Sequence, residues 1–144
     1  MAKVSIYLNF MGNTEEAFNF YKSVFGTEFS APLFRMGEMK LPEGMSQFSD
    51  EDKKKVMNVA LPILGGTVIQ GTDMLESMGH KLVIGNNTTI YLEPDTKEEA
   101  DRLFKELSLG GTDCVAPYDE FWGYWGVCLD RFGIRWMFNV PGQY

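Results

Sequence analysis

Residues 121–140 read Phe-Trp-Gly-Tyr-Trp-Gly-Val-Cys-Leu-Asp-Arg-Phe-Gly-Ile-Arg-Trp-Met-Phe-Asn-Val. The pattern predicts a β-hairpin. Asp130-Arg131-Phe132-Gly133 is its turn, with Asp first and Gly last, as a type I turn prefers. Both arms are rich in aromatic and β-branched residues. On the second arm Ile134, Trp136 and Phe138 share one face, and Arg135, Met137 and Asn139 share the other. An apolar face bearing Trp needs a partner layer, which must come from earlier in the chain. The face with Arg135 and Asn139 is expected to border a wet cavity.

Working outward, the totals set bounds. A chain of 144 residues is long enough for one domain with a sizeable core. Its hydrophobic content of 44% and aromatic content of 14% are those of a folded globular protein. The net charge of -7 argues against nucleic acid or an anionic membrane as a partner. No apolar run approaches a membrane span, and no charged-then-apolar leader opens the chain. Cys114 and Cys128 form no metal or redox spacing, so a reduced, cytoplasmic protein with two thiols packed as small hydrophobes is expected.

From the N-terminus, Val4 to Phe10 alternates. Val4, Ile6, Leu8 and Phe10 form a core face, and Ser5, Tyr7 and Asn9 form a polar-to-amphipathic one. Asn13 or Thr14 can cap a helix in which Ala17, Phe20, Tyr21, Val24 and Phe25 recur at helical spacing, and Gly26 ends it. Thr27 to Leu33 is expected to be a strand. Gly37 to Lys55 lacks period and reads as a long loop, which with Met36, Met39, Met45 and Phe48 gives a lid something to close with. The charge run Asp50–Lys55 is a solvated helix turn. Val56 to Ile63 and Thr67 to Thr72 are strands joined by Leu64-Gly65-Gly66. The connection Asp73 to Gly85 holds the sole histidine, His80, which is expected at the surface.

The second half repeats the first. Thr88 to Glu93 is a strand, Asp95 or Thr96 caps a helix, Glu98-Glu99-Ala100 matches Glu15-Glu16-Ala17, and Val24 matches Leu107. A short strand near Asp113–Ala116 leads into the hairpin. Each half is therefore strand, helix, three strands. The expected fold is α+β: two βαβββ modules, about 3–73 and 86–141, in one domain over 1–144. Their sheets would pair into a curved open barrel with helices outside and a cavity inside.

The residues Tyr7-Leu-Asn-Phe-Met-Gly-Asn13, Glu16-Ala17, Phe20-Tyr21, Phe25-Gly26, Tyr124-Trp125-Gly126 and Asp130-Arg-Phe-Gly-Ile-Arg-Trp136 carry a resemblance across nearly the whole chain. The sequence resembles the PhnB-like branch of the glyoxalase/bleomycin-resistance (vicinal oxygen chelate) superfamily, a branch also labelled after a demethylubiquinone methyltransferase-type domain. That superfamily hosts lyases, isomerases, dioxygenases and drug-binding proteins on one scaffold. The resemblance implies a divalent-metal site built from the first and last strands of each module. By register those positions are Tyr7, Gln70, Thr89 and Met137. Two hydroxyls, an amide and a thioether are poor donors for Zn²⁺, Ni²⁺, Mn²⁺ or Fe²⁺. Asn58 stands where relatives often carry His.

The expected function is therefore the binding of a small neutral or weakly polar molecule, without metal or cofactor. The cavity would be lined by Tyr7, Asn9, Asn58, Gln70, Thr89, Tyr91, Trp122, Trp125, Met137 and Asn139. A metal-dependent lyase, isomerase or dioxygenase and a drug-sequestering protein are the alternatives. Asp119 and Glu120 read as a solvated loop rather than a general base pair, and Glu93 as helix-capping context. The resemblance also implies a homodimer, which would cover exposed strand edges.

Overall fold

The alternation at the N-terminus makes β1 (Ile6–Phe10), which buries Leu8 and Phe10 and turns Tyr7 and Asn9 outward. It is followed by α1 (Thr14–Phe25), β2 (Phe34–Arg35), α2 (Asp50–Lys53), β3 (Val56–Pro62) and β4 (Val68–Asp73). Then come β5 (Ile90–Leu92), α3 (Lys97–Leu107), β6 (Thr112–Glu120), β7 (Gly123–Leu129) and β8 (Arg135–Pro141). The computed structural model describes residues 1–45 and 47–142, and the chain falls into two units, Met1–Leu82 and Val83–Tyr144. The division lies between the two expected modules.

The repeat is borne out in topology. The first sheet has the order β1-β4-β3-β2 and the second β5-β8-β7-β6. In each unit the first strand pairs parallel with the last, and the remaining pairs are antiparallel. One helix covers one face of each sheet. In the first unit Ala17, Phe18, Tyr21 and Val24 of α1 are buried with Phe10, Val59, Leu61 and Ile69. Phe18 was not among the expected core positions, whereas Phe20 and Phe25 are only half-buried. The reason is Gly71 in β4. A Cβ there would lie 2.9 Å from Phe18 Cζ and 3.1 Å from Thr14 Cγ2, so the missing side chain is the space the Phe18 ring fills.

The start of α1 departs from the expected local cap. Asn13 makes no capping bond through its side chain. Asp73, at the end of β4, takes that role. Its Oδ1 accepts from Gly12 N (2.9 Å), Thr14 N (3.1 Å) and Thr14 Oγ1 (2.7 Å), and its Oδ2 accepts from Val56 N (2.8 Å). One buried carboxylate thus joins a helix start, a strand start and a strand end.

The strand expected over Thr27 to Leu33 is not formed. Pro32 has no N–H to give a ladder, and among the described residues the segment is hydrogen-bonded to β3 through Ser30 N to Ala60 O and Thr27 Oγ1 to Pro62 O. Within 37–55, Met36–Glu38 closes a 3-10 turn, and Ser49 caps α2 by accepting from Asp52 N. Asp52 is buried rather than solvated.

In the second unit the hairpin stands as expected. Gly133 N donates to Asp130 O, and β7 and β8 pair from Gly123↔Pro141 to Leu129↔Arg135. Asp130 does more than turn the chain. Its Oδ1 accepts from Phe132 N and Ile134 N, and its Oδ2 accepts from Trp136 Nε1 at 2.8 Å. Trp136, Phe138 and Cys128 are fully buried, and the Phe138 ring meets Phe104 of α3 edge-on at 5.8 Å. Thr96 caps α3 by accepting from Glu99 N. The strand before the hairpin is nine residues rather than four, and nearly all of it is exposed. It is an edge strand with irregular register, so its length adds little to the core.

Candidate functional site

In the first unit, β1 and β4 alternate so that Tyr7 pairs with Gln70 and Asn9 with Thr72 on the face away from α1. Over part of this face lies a cavity of about 860 Å³. Asn9, Met57 and Thr72 come from the sheet. Met36, Met39, Leu41, Met45, Gln47, Phe48, Ser49 and Asp52 come from the long segment before β3. Asp73, Met74, Leu75, Ser77, Met78 and His80 come from the chain after β4. Six of the nine methionines of the chain are in this wall. Unbranched thioether side chains adapt to irregular contents better than branched ones.

The polar groups of the wall divide by commitment. Asp73 is spent on the four donors named above. Asp52 Oδ2 accepts from Ser77 Oγ at 2.6 Å and its Oδ1 meets Lys55 Nζ at 3.1 Å. The Ser77 hydroxyl, then Lys55, holds the Asp52 carboxyl below the usual range. Thr72 Oγ1 donates to Val56 O. Neither the Asn9 side-chain amide nor His80 Nε2 makes a hydrogen bond within the described residues. Among the described residues no Lys or Arg lines the cavity.

His80 is exposed, as expected, yet it belongs to this wall. Leu75–His80 folds back on itself. Met78 N and His80 N donate to Leu75 O, and Gly79 closes the 3-10 turn at φ 79°, a conformation that suits glycine. The imidazole completes the loop, because His80 Nδ1 accepts from Leu75 N at 2.9 Å. The Gly-His-Lys context hid this. The usable signal was Gly79 beside a histidine, directly after a strand.

Of the ten expected cavity residues, Asn9 lines this cavity. Tyr7 and Gln70 continue its sheet face, and Asn58 Nδ2 donates to Gln70 Oε1 at 3.2 Å. The six others stand in the second unit. Tyr91 pairs with Met137, and Asn139 Nδ2 donates to Tyr91 Oη at 2.9 Å. Trp125 pairs with Asn139, on the face away from α3, and its ring meets Trp122 edge-on at 6.0 Å. Asn139 Oδ1 and Arg135 Nε are buried there without a partner among the described residues. Thr89, half-buried, precedes β5 rather than lying in it.

With this geometry in view, the sequence model of 3-demethylubiquinone-9 3-methyltransferase matches residues 2–138. The chain belongs to that family. It is 26% identical over 144 residues to Protein YjdN of Escherichia coli (strain K12), covering 97% of this chain and 96% of that one. Among solved structures it is similar to protein PA1353 from Pseudomonas aeruginosa, at 29% identity and a TM-score of 0.83, covering 99% and 100% of the two chains. It is also similar to a putative 3-demethylubiquinone-9 3-methyltransferase, PhnB protein, from Bacillus cereus, at 22% identity and a TM-score of 0.74, covering 97% and 100%. A glyoxylase/bleomycin resistance protein/dioxygenase domain from Frankia sp. EAN1pec shares the fold at a TM-score of 0.62 and 11% identity, covering 99% and 97%. The fold is thus that of glyoxalase/bleomycin-resistance proteins.

The divalent metal that the sequence resemblance implies does not suit the four residues expected to hold it. Tyr7, Gln70, Thr89 and Met137 offer two hydroxyls, an amide and a thioether, and the Gln70 carbonyl oxygen already serves Asn58. Among the described residues no three His, Cys, Asp or Glu side chains gather as a metal-holding group. No described helix is long and apolar enough to cross a membrane.

Proposed function

We propose that this chain binds a small neutral or weakly polar molecule, and that residues 9–80 hold it in the methionine-rich cavity. One observation carries the reading: a cavity of about 860 Å³ with an apolar, adaptable wall, whose carboxylates are already satisfied and which no Lys or Arg lines. Cavities of roughly 300–1,000 Å³ with a few unspent polar groups are the usual form of small-molecule sites. An anion would find no cation in the wall, and a cation would have to compete with the bonds that Asp52 and Asp73 already make. The 37–55 segment supplies Met39, Leu41, Met45 and Phe48 to one wall, which supports its role as a lid. The same reading has the chain act as a homodimer, with the exposed edge strand β6 as one surface that needs cover.

The test uses 1-N-phenylnaphthylamine, a neutral fluorophore that brightens in apolar surroundings. Saturable binding near one per chain is expected, and Met57→Trp, which fills the cavity from β3, should weaken it about tenfold or more. Absence of saturable binding, or binding that ignores Met57→Trp while the variant melts normally, would remove the proposal. Native mass spectrometry of freshly purified protein would identify any molecule it already carries.

A further inference from the structure

We propose that His80 is the hydrogen-bond donor that selects and orients the cavity's ligand, and that the ligand class is an apolar molecule bearing one neutral acceptor oxygen, such as a carbonyl. This rests on the reading of the cavity just given and narrows it.

The argument begins with the ring's two nitrogens. Nδ1 accepts from Leu75 N at 2.9 Å, so it carries a lone pair and the neutral ring holds its proton on Nε2. The ring thus presents a donor and no free acceptor. Its orientation is fixed by the loop that bears it, because His80 N returns to Leu75 O at 3.2 Å and Gly79 closes the turn between. The loop is anchored in turn. Met74 N donates to Phe10 O at 2.7 Å, and Ser77 is bonded to the buried Asp52. A donor held this way loses little freedom when a ligand meets it.

The competing polar groups serve less well. Asp52, Asp73 and the hydroxyls of Ser77 and Thr72 are engaged elsewhere. The Asn9 and Gln47 amides each offer both a donor and an acceptor, and the Ser49 hydroxyl, which accepts from Asp52 N, keeps a rotatable O–H rather than a fixed one, so these groups discriminate less than a held ring N–H. An acceptor oxygen beside an apolar body therefore matches the wall, and a ligand presenting only donors does not.

The experiment compares 1-acetylnaphthalene with 1-ethylnaphthalene, near-isosteres that differ by the carbonyl, using isothermal titration on the full chain. The acetyl compound should bind about two- to tenfold tighter, the range of one neutral hydrogen bond. His80→Ala should erase that preference, bringing the two compounds to affinities within about twofold of each other. A readout on unaltered protein guards against a loosened loop in the variant. His80 is the sole histidine, so its ring resonances in a long-range proton–nitrogen spectrum are assigned without ambiguity. The Nε2 signal should move with the acetyl compound and not with the ethyl one. Equal binding of both compounds, a preference that survives His80→Ala, or an unmoved Nε2 signal would overturn the role of His80 and leave the cavity reading standing. Failure of both compounds to bind would overturn this inference and count against the cavity reading as well.

Discussion

Removing the Asp73 carboxylate should unfold the first unit's architecture from three sides at once. Asp73→Ala strips partners from Gly12 N, Thr14 N, Thr14 Oγ1 and Val56 N. Gly12 is exposed, so water can replace its bond. Thr14 and Val56 are almost fully buried, so three groups are left without partners. At about 1–3 kcal/mol for each buried orphan, and with some relaxation toward solvent, the loss should be about 3–6 kcal/mol. That is a large part of the roughly 5–15 kcal/mol that holds a domain folded. Asp73→Asn should lose less, about 1–3 kcal/mol, because its carbonyl can still serve Gly12 and Thr14 while its NH₂ faces Val56 N–H. Urea titration followed by far-ultraviolet circular dichroism measures both. Amide hydrogen exchange locates the damage: Thr14 and Val56 should lose protection together, although they lie in different elements. If Asp73→Ala stays within about 1 kcal/mol of the parent, or if only one of the two amides loses protection, the shared-carboxylate argument is wrong.

The remaining predictions are local. Gly71→Ala forces a methyl against Phe18 and should cost about 1–3 kcal/mol, and Phe18→Leu should recover part of that loss in the double variant, as thermal melts would show. Trp136→Ala should cost about 3–5 kcal/mol, since the ring is fully buried and bonded to Asp130, whereas half-exposed Trp125→Ala should cost far less; the reverse order would invert the face assignment of the hairpin. Burial, with help from Cys114 and Asp130, pushes the Cys128 thiol up to about 12, so the folded state keeps this proton longer than the unfolded one. Stability should then fall as pH climbs from about 8.5 toward that value, and Cys128→Ala should flatten this alkaline limb in denaturant titrations. Plasma emission analysis of purified protein should find no stoichiometric Zn²⁺, Ni²⁺ or Fe²⁺, given the donors at the superfamily's positions; one equivalent lost on Gln70→Ala would reverse that assignment.

The elements were legible where local chemistry repeats. Alternation gave β1, the Asp130–Gly133 turn gave the β7–β8 hairpin, and the Thr96 cap gave α3. The matching Glu-Glu-Ala runs revealed two modules before any topology was known. What failed was set by distant partners. Thr27 to Leu33 has the composition of a strand, yet Pro32 denies it the ladder. Phe18 sits one step off the residues chosen for the helix's apolar face, and its burial depends on a glycine 53 positions later (71 − 18). The cap of α1 comes from Asp73, not from its neighbours. The candidate site was legible in part of its lining and not in its assembly. Asn9 and the methionine-bearing segment were singled out, but the wall they share with His80 needs the fold-back of Leu75–His80, which no periodicity announces.

The Asp73 carboxylate also has a consequence for how the chain is made. Synthesis runs from the N-terminus, so β1 and α1 leave the ribosome long before residue 73 does. Until then the start of α1 lacks its capping carboxylate, and β1 lacks β4, its neighbour in the sheet. Leu8, Phe10 and Phe18 are meanwhile open to solvent or to other nascent chains. The first unit is therefore expected to close in a late event, once β4 arrives. Ribosome stalling before residue 73 should yield a chaperone-bound chain, and stalling well after it a protease-resistant one.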